Sequence, residues 1–175
     1  MSRRILTLSL LALAALAAGV WVATTRYAPQ AVAPQAAAAL WHMQFADLQG
    51  QPQPISQWRD QVLVLNFWAS WCAPCREEMP DFESLRQQYA NKGVEFVGIA
   101  IDNKENVSKF IKSMTVTYPI LIGEGAAHNL ARQLGNSSGA LPFTLVIDRN
   151  GKVVLSHLGR LSREQLEATL RGLLA

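Results

Sequence analysis

From Leu40 to the C-terminus, short runs of consecutive apolar residues take turns with stretches in which apolar residues recur every three or four positions. Val62–Trp68 (Val-Leu-Val-Leu-Asn-Phe-Trp) is short, continuous and rich in β-branched and aromatic residues, which predicts a buried strand. The next stretch predicts a helix from Cys72–Pro74 to about Tyr89, with Met79, Phe82, Leu85 and Tyr89 on one face and Asn91-Lys92-Gly93 as its stop. Val94–Ile101 reads as a second buried strand. Asn103 caps a helix to about Met114, carrying Val107, Phe110, Ile111 and Met114 at helical spacing. Ile120–Ile122 is a short strand, Ala126–Leu134 a short helix, and Gly135–Gly139 a loop. Phe143–Ile147 and Lys152–Leu158 flank Asp148-Arg149-Asn150-Gly151, the signature of an antiparallel hairpin. Ser162-Arg-Glu-Gln is a capping box that opens the last helix. Trp41–Ala46 alternates weakly as a further strand before a turn at Gln49-Gly50. Strands alternating with helices predict an α/β domain over residues 40–175, a mixed sheet with helices on both faces.

The first 39 residues follow other rules. Ile5–Ala23 is an uncharged run that reaches roughly 28 Å as a helix, close to the hydrocarbon thickness of a bilayer. It is longer than the apolar region of a cleaved signal, and Pro34 spoils the small-residue site at Ala31-Val32-Ala33. The segment 1–26 therefore reads as an uncleaved signal anchor, a transmembrane helix. Arg3 and Arg4 precede the run, so the positive-inside bias sends the domain across the membrane. Tyr27–Ala39, poor in charge and with two prolines, reads as a tether.

Charge adds an exclusion. Every acid lies beyond Ala46, and setting aside Arg3, Arg4 and Arg26 leaves 13 basic against 13 acidic residues. A neutral body without a basic patch is not that of a nucleic-acid binder.

The candidate chemistry sits where the first buried strand meets its helix. Trp71-Cys72-Ala73-Pro74-Cys75 contains both cysteines of the chain. Cys72 falls at the helix N-terminus, where free backbone N–H groups and the macrodipole stabilise a thiolate. Cys75, one turn further in, is placed to attack a mixed disulfide formed at Cys72. Pro74 takes an early helical position where its missing N–H is no loss. A zinc site needs about four ligands, and His42, His128 and His157 are scattered. Haem attachment needs a histidine where Arg76 stands. The dithiol calls for no metal and no cofactor.

The segment Asn66-Phe67-Trp68-Ala69-Ser70-Trp71-Cys72-Ala73-Pro74-Cys75-Arg76-Glu77-Glu78-Met79-Pro80 resembles the active-site segment of the thioredoxin superfamily, in its TlpA/ResA-like branch. Ala140-Leu141-Pro142-Phe143-Thr144 is similar to the second landmark of that superfamily, a cis-proline before a strand. The resemblance implies a thioredoxin-like fold with an N-terminal hairpin over Leu40–Ile55 and an extra βα unit between Val94 and Ile122. It places Pro142 beside Cys72, with Leu141, Pro142, Trp71 and Pro74 facing the substrate and Trp68 packed inside.

Two departures bear on mechanism. Asn66 stands where thioredoxin carries a buried Asp, and an amide cannot titrate. The branch offers Glu78 instead, three residues after Cys75 on the same helix face, either as a proton acceptor or as a solvated first-turn residue. Phe143 stands where cytochrome c maturation members carry Glu, which weakens that assignment. Pro80 inside the helix is expected to kink it.

The resemblance implies an enzyme, an exported thiol:disulfide oxidoreductase at a bacterial inner membrane with its domain in the periplasm. It would reduce disulfide-bonded exported proteins and be re-reduced by a membrane thiol carrier of the DsbD or CcdA type. The same residues also suit a disulfide-forming oxidant or isomerase, a thiol peroxidase, or a binding module without turnover. Direction follows the reduction potential, which Ala73-Pro74 does not reveal.

Overall fold

The computed structural model describes residues 34–175, Val32, and five earlier positions at 12, 13, 15, 18 and 19. The signal-anchor segment thus lies almost wholly outside the described residues, and among those described no helix is long and apolar enough to cross a membrane. The chain divides into Met1–Gln30 and Ala31–Ala175, and the second part carries the sheet and its helices.

Seven strands form one sheet: β1 (Gln44–Asp47), β2 (Pro52–Pro54), β3 (Val62–Trp68), β4 (Val94–Ala100), β5 (Ile120–Ile122), β6 (Phe143–Ile147) and β7 (Val153–Leu158). Their order is β2-β1-β5-β4-β3-β6-β7. The β3–β4 and β4–β5 pairs are parallel, and the other pairs are antiparallel. Among residues 34–175 five α-helices accompany them: α1 (Pro34–Leu40), α2 (Ala73–Tyr89), α3 (Lys104–Ile111), α4 (Glu124–Gln133) and α5 (Arg163–Leu174).

The period of two along β3 decides what each face meets. Val62, Val64 and Trp68 enter a core with Met79, Phe82, Leu85 and Tyr89 of α2 and Leu166 and Leu170 of α5. Leu63, Leu65 and Phe67 enter a second core with Leu40 of α1, Phe45, and Ala127, Leu130 and Ala131 of α4. Both faces of β3 are covered, so its residues are buried throughout. Asn66 has the parity of Val64 and Trp68 and therefore faces α2.

Most elements form where expected, and the differences have local causes. The tether expected to run through Ala39 is helical from Pro34, and Ala36 and Leu40 pack on the second core. An Ala-rich run has high helix propensity, and the apolar face supplies the docking. The strand expected from Trp41 begins at Gln44, because Trp41–Met43 form i→i−3 turns after α1. Helix α3 stops at Ile111 rather than Met114, since Ser113 and Met114 bond three residues back and the Ser113 hydroxyl takes the Phe110 carbonyl. Helix α4 starts two residues earlier than expected, at Glu124, after Gly123, where any Cβ would collide with the Cβ of Ala127. Pro80 is exposed within α2, which continues as one helix to Tyr89. The β1–β2 hairpin turns at Gly50 (φ +86°). Asp47 steadies that turn by accepting the N–H groups of Gln49 and Gln51 at 2.9 and 2.8 Å. Its outer strand, Pro-Gln-Pro, forms one edge of the sheet.

Candidate active site

The site lies where β3 ends and α2 begins, both fixed by the buried strand and the apolar face of the helix. Cys72 is the N-cap of α2, in extended backbone, and its Sγ accepts the Cys75 N–H at 3.3 Å. That contact satisfies one of the four free donors at the helix start. Cys72 and Cys75 are joined in a disulfide, their Cα atoms 5.3 Å apart. Cys72 is 5% exposed and Cys75 is fully buried, so the pair is open to a partner from the Cys72 side.

Trp71 is 68% exposed next to the disulfide, while Trp68 is fully buried. The burial of Trp68 matches the packing expected of it. Arg76 lies over the Phe110 ring at 5.8 Å, and Phe110 packs on Trp68, so α3 joins the rim of the site. The loop before Cys72 is held from the end of β4: Asp102 accepts the N–H and hydroxyl of Ser70, and also the Asn103 N–H and the Asn106 side chain. Burial alone would raise the Asp102 carboxyl, but these bonds outweigh it and hold the group below its ordinary range. Nothing in the sequence pointed to this anchor, because Asp102 looks like an ordinary residue of a loop before a helix cap.

The Leu141–Pro142 peptide is cis. Phe143 pairs with Phe67 and Thr144 with Asn66, so this loop stands at the same end of the sheet as the end of β3. The Pro142 carbonyl accepts the Gly159 N–H at 2.8 Å.

Glu78 is fully buried and is not a solvated first-turn residue. Its Oε1 accepts Asn66 Nδ2–H at 2.8 Å, and its Oε2 accepts the Leu161 N–H at 3.0 Å. Desolvation pushes its carboxyl up to about 7, against the lowering effect of those two bonds and of the Arg160 charge. Asn66 also donates to Thr144 Oγ1 at 2.9 Å. Tyr118, likewise buried, has its phenol pushed up by burial and by the charges of Glu78 and Glu83. Thr144, Leu161 and Tyr118 join this cluster from distant segments, and no local pattern announced them. Among the described residues no group of three His, Cys, Asp or Glu side chains is arranged to hold a metal.

The family described as Redoxin matches residues 27–174. The chain belongs to the redoxin family. This redoxin is 35% identical over 127 residues to a thiol-disulfide oxidoreductase ResA of Bacillus cereus, a span of 71% of this chain and 70% of that protein. A thioredoxin family thiol:disulfide interchange protein of Chlorobium tepidum TLS superposes with a TM-score of 0.66 at 27% identity, over 76% of this chain and 93% of that one. A thioredoxin-related protein of Neisseria meningitidis serogroup B gives 0.65 at 32% identity, over 73% and 96%. The redoxin is a TlpA/ResA-like member of the thioredoxin superfamily and a thiol:disulfide oxidoreductase, with disulfide-containing proteins as substrates.

Proposed function

We propose that this redoxin is a dithiol reductant of exported proteins, tethered by its N-terminal apolar run at the outer face of a bacterial inner membrane. The observation that carries the reading is the asymmetry of the pair, with Cys72 capping α2 and just reaching solvent and Cys75 fully buried one turn below. The Cys72 thiolate attacks one sulfur of a substrate disulfide. A Cys72–substrate bond forms as the substrate S–S bond breaks, and the leaving sulfur departs as a thiolate. Cys75 then attacks Cys72 Sγ, which closes Cys72–Cys75 and releases the second substrate thiolate. Two electrons pass to the substrate, and a membrane thiol carrier of the DsbD or CcdA type restores the dithiol.

Glu78 takes the Cys75 proton. Three residues on from Cys75 it shares that helix face, and a carboxyl near 7 exchanges protons at neutral pH. Its negative charge also disfavours a thiolate nearby, which supports a reductant rather than a strong oxidant. Trp71 and Pro74 form one side of the substrate surface, and Leu141 and Pro142 the other. The Pro142 carbonyl is taken by Gly159, so we assign backbone pairing with a substrate strand to Leu141. Cytochrome c precursors and metal-site cysteines are candidate targets; Phe143, buried at the start of β6, is not the acid that marks the cytochrome branch.

The test is the reduction potential of the Cys72–Cys75 couple in the full chain, equilibrated against glutathione or dithiothreitol. A value near or below about −270 mV supports the reductant. A value approaching about −120 mV makes the protein an oxidant and overturns the direction proposed.

A further inference from the structure

Asn66 is buried at the centre of the sheet, between Gly98 of β4 and Thr144 of β6, and faces α2. Both of its Nδ2 protons are used, one on Glu78 Oε1 and one on Thr144 Oγ1. Its Oδ1 is buried and has no hydrogen-bond partner among the described residues. This arrangement, with both carboxyl oxygens accepting N–H bonds, suits an ionised Glu78 best. Glu78 Oε2 faces the Leu161 N–H, a donor that cannot turn away, so a proton added to the carboxyl belongs on Oε1. There it would point at the Asn66 NH₂, donor against donor. Rotating the amide by half a turn exchanges Nδ2 and Oδ1 and removes the conflict. Oδ1 then accepts both Glu78 Oε1–H and Thr144 Oγ–H, because a threonine hydroxyl accepts in one orientation and donates in the other. The unpartnered amide group is an oxygen before the reversal and an NH₂ after it, a cost that the new bond from Glu78 Oε1–H must offset.

We propose that the Asn66 side-chain amide reverses when Glu78 gains a proton, presenting Nδ2–H to the carboxylate and Oδ1 to the acid. Asn66 is then a positioning residue for Glu78, with Thr144 as its pivot partner. It does not replace the titrating Asp of thioredoxin but follows the proton that Glu78 carries. The other groups facing Glu78 keep their roles in both states. Arg160, which pairs with exposed Glu77 at 3.5 Å, supplies a fixed positive charge, and Tyr118, with Glu83 beyond it, remains a neutral phenol. The proposal rests on Glu78 exchanging a proton, and not on the direction of electron flow.

The experiment uses the oxidised full chain, labelled with ¹⁵N and ¹³C and held in mild detergent micelles. NOEs from the Asn66 NH₂ to the Thr144 Hβ and methyl protons are followed from pH 5 to 9, alongside the Glu78 carboxyl carbon. The expected result is that the NOEs are present above the Glu78 midpoint and lost below it. In Glu78→Gln the introduced amide keeps its oxygen on Leu161 and turns its NH₂ to Asn66, so the NOEs should be lost at every pH. Asn66→Leu should raise the Glu78 midpoint by about one pH unit, since the charge-assisted donor is gone. NOEs that persist across the Glu78 titration, a Glu78 carbon that does not titrate, or an unmoved midpoint in Asn66→Leu would each overturn the reversal. A reducing potential found together with persistent NOEs overturns the reversal alone.

Discussion

Glu78 makes this fold less stable in mild base than in mild acid. Its carboxyl rises from an ordinary 4.5 in the unfolded chain to about 7 in the folded protein. Between those values the folded state binds the proton more often than the unfolded one, so stability falls as pH rises. Its contribution is intact below pH 4.5 and gone above pH 7. A tenfold change in proton affinity is worth ~1.4 kcal/mol, so the move from 4.5 to about 7 amounts to about 3 kcal/mol. Glu78→Gln removes the titration while keeping the size of the side chain and, like the protonated acid, pairing one acceptor with one donor. Urea unfolding of the oxidised full chain in mild detergent, at intervals from pH 4 to pH 8.5, gives the stability of each protein. The variant carries its own constant offset, so the informative quantity is its stability minus that of the parent. That difference should grow by about 3 kcal/mol in favour of the variant between pH 4.5 and 8. Asp102, with its carboxyl lowered, acts in the opposite sense and below this window, and it is common to both proteins. A difference that stays flat across the range would refute the raised carboxyl and, with it, the proton-accepting role given to Glu78.

Cys75→Ser should accumulate mixed disulfides between Cys72 and substrate, seen as adducts on non-reducing gels, while Cys72→Ser should trap none and lose all turnover. Trp71→Ala should lower kcat/KM for a disulfide-bonded protein about tenfold, a loss of ~1.4 kcal/mol of binding surface, and leave the rate with dithiothreitol unchanged. Gly98→Ala places a Cβ 2.9 Å from Ile120 Cδ1 and 3.0 Å from Trp68 Nε1. It should destabilise the fold by about 1–3 kcal/mol in urea and shift the Trp68 fluorescence. Asp102→Ala releases Ser70 and Asn103 and should cost about 1–2 kcal/mol, with faster hydrogen exchange at the Ser70 amide.

What could be read along the chain was what neighbouring residues decide among themselves. Val62–Trp68 announced a strand covered on both sides, and the Cys72–Cys75 spacing after it announced a helix cap with two thiols one turn apart. The loop at Pro142 was legible only through the company of those cysteines. The environment of Glu78 was not legible. Helical spacing put it on the face of Cys75, but its burial depends on Leu161, 83 residues away, closing over it. The Asn66–Thr144 bond likewise joins residues 78 apart, and the register that brings them opposite is set by the whole of β6. Pro34–Leu40 was ambiguous for another reason. A run of alanines suits a linker or a helix equally well, and only the second core, which receives Ala36 and Leu40, decides between them.

The Pro-Gln-Pro edge strand also governs what this protein can do to its neighbours. Gln51 and Ile55, on either side of β2, bond inward to Asp47 and Met43, which turns the backbone of Pro52 and Pro54 outward. An outward proline offers a carbonyl but no N–H. A foreign strand approaching this rim finds carbonyl acceptors but no N–H donors at Pro52 and Pro54, so its own carbonyls there go unpaired and the pairing is weakened. On this flank the oxidoreductase is a poor template for the addition of a strand from another chain.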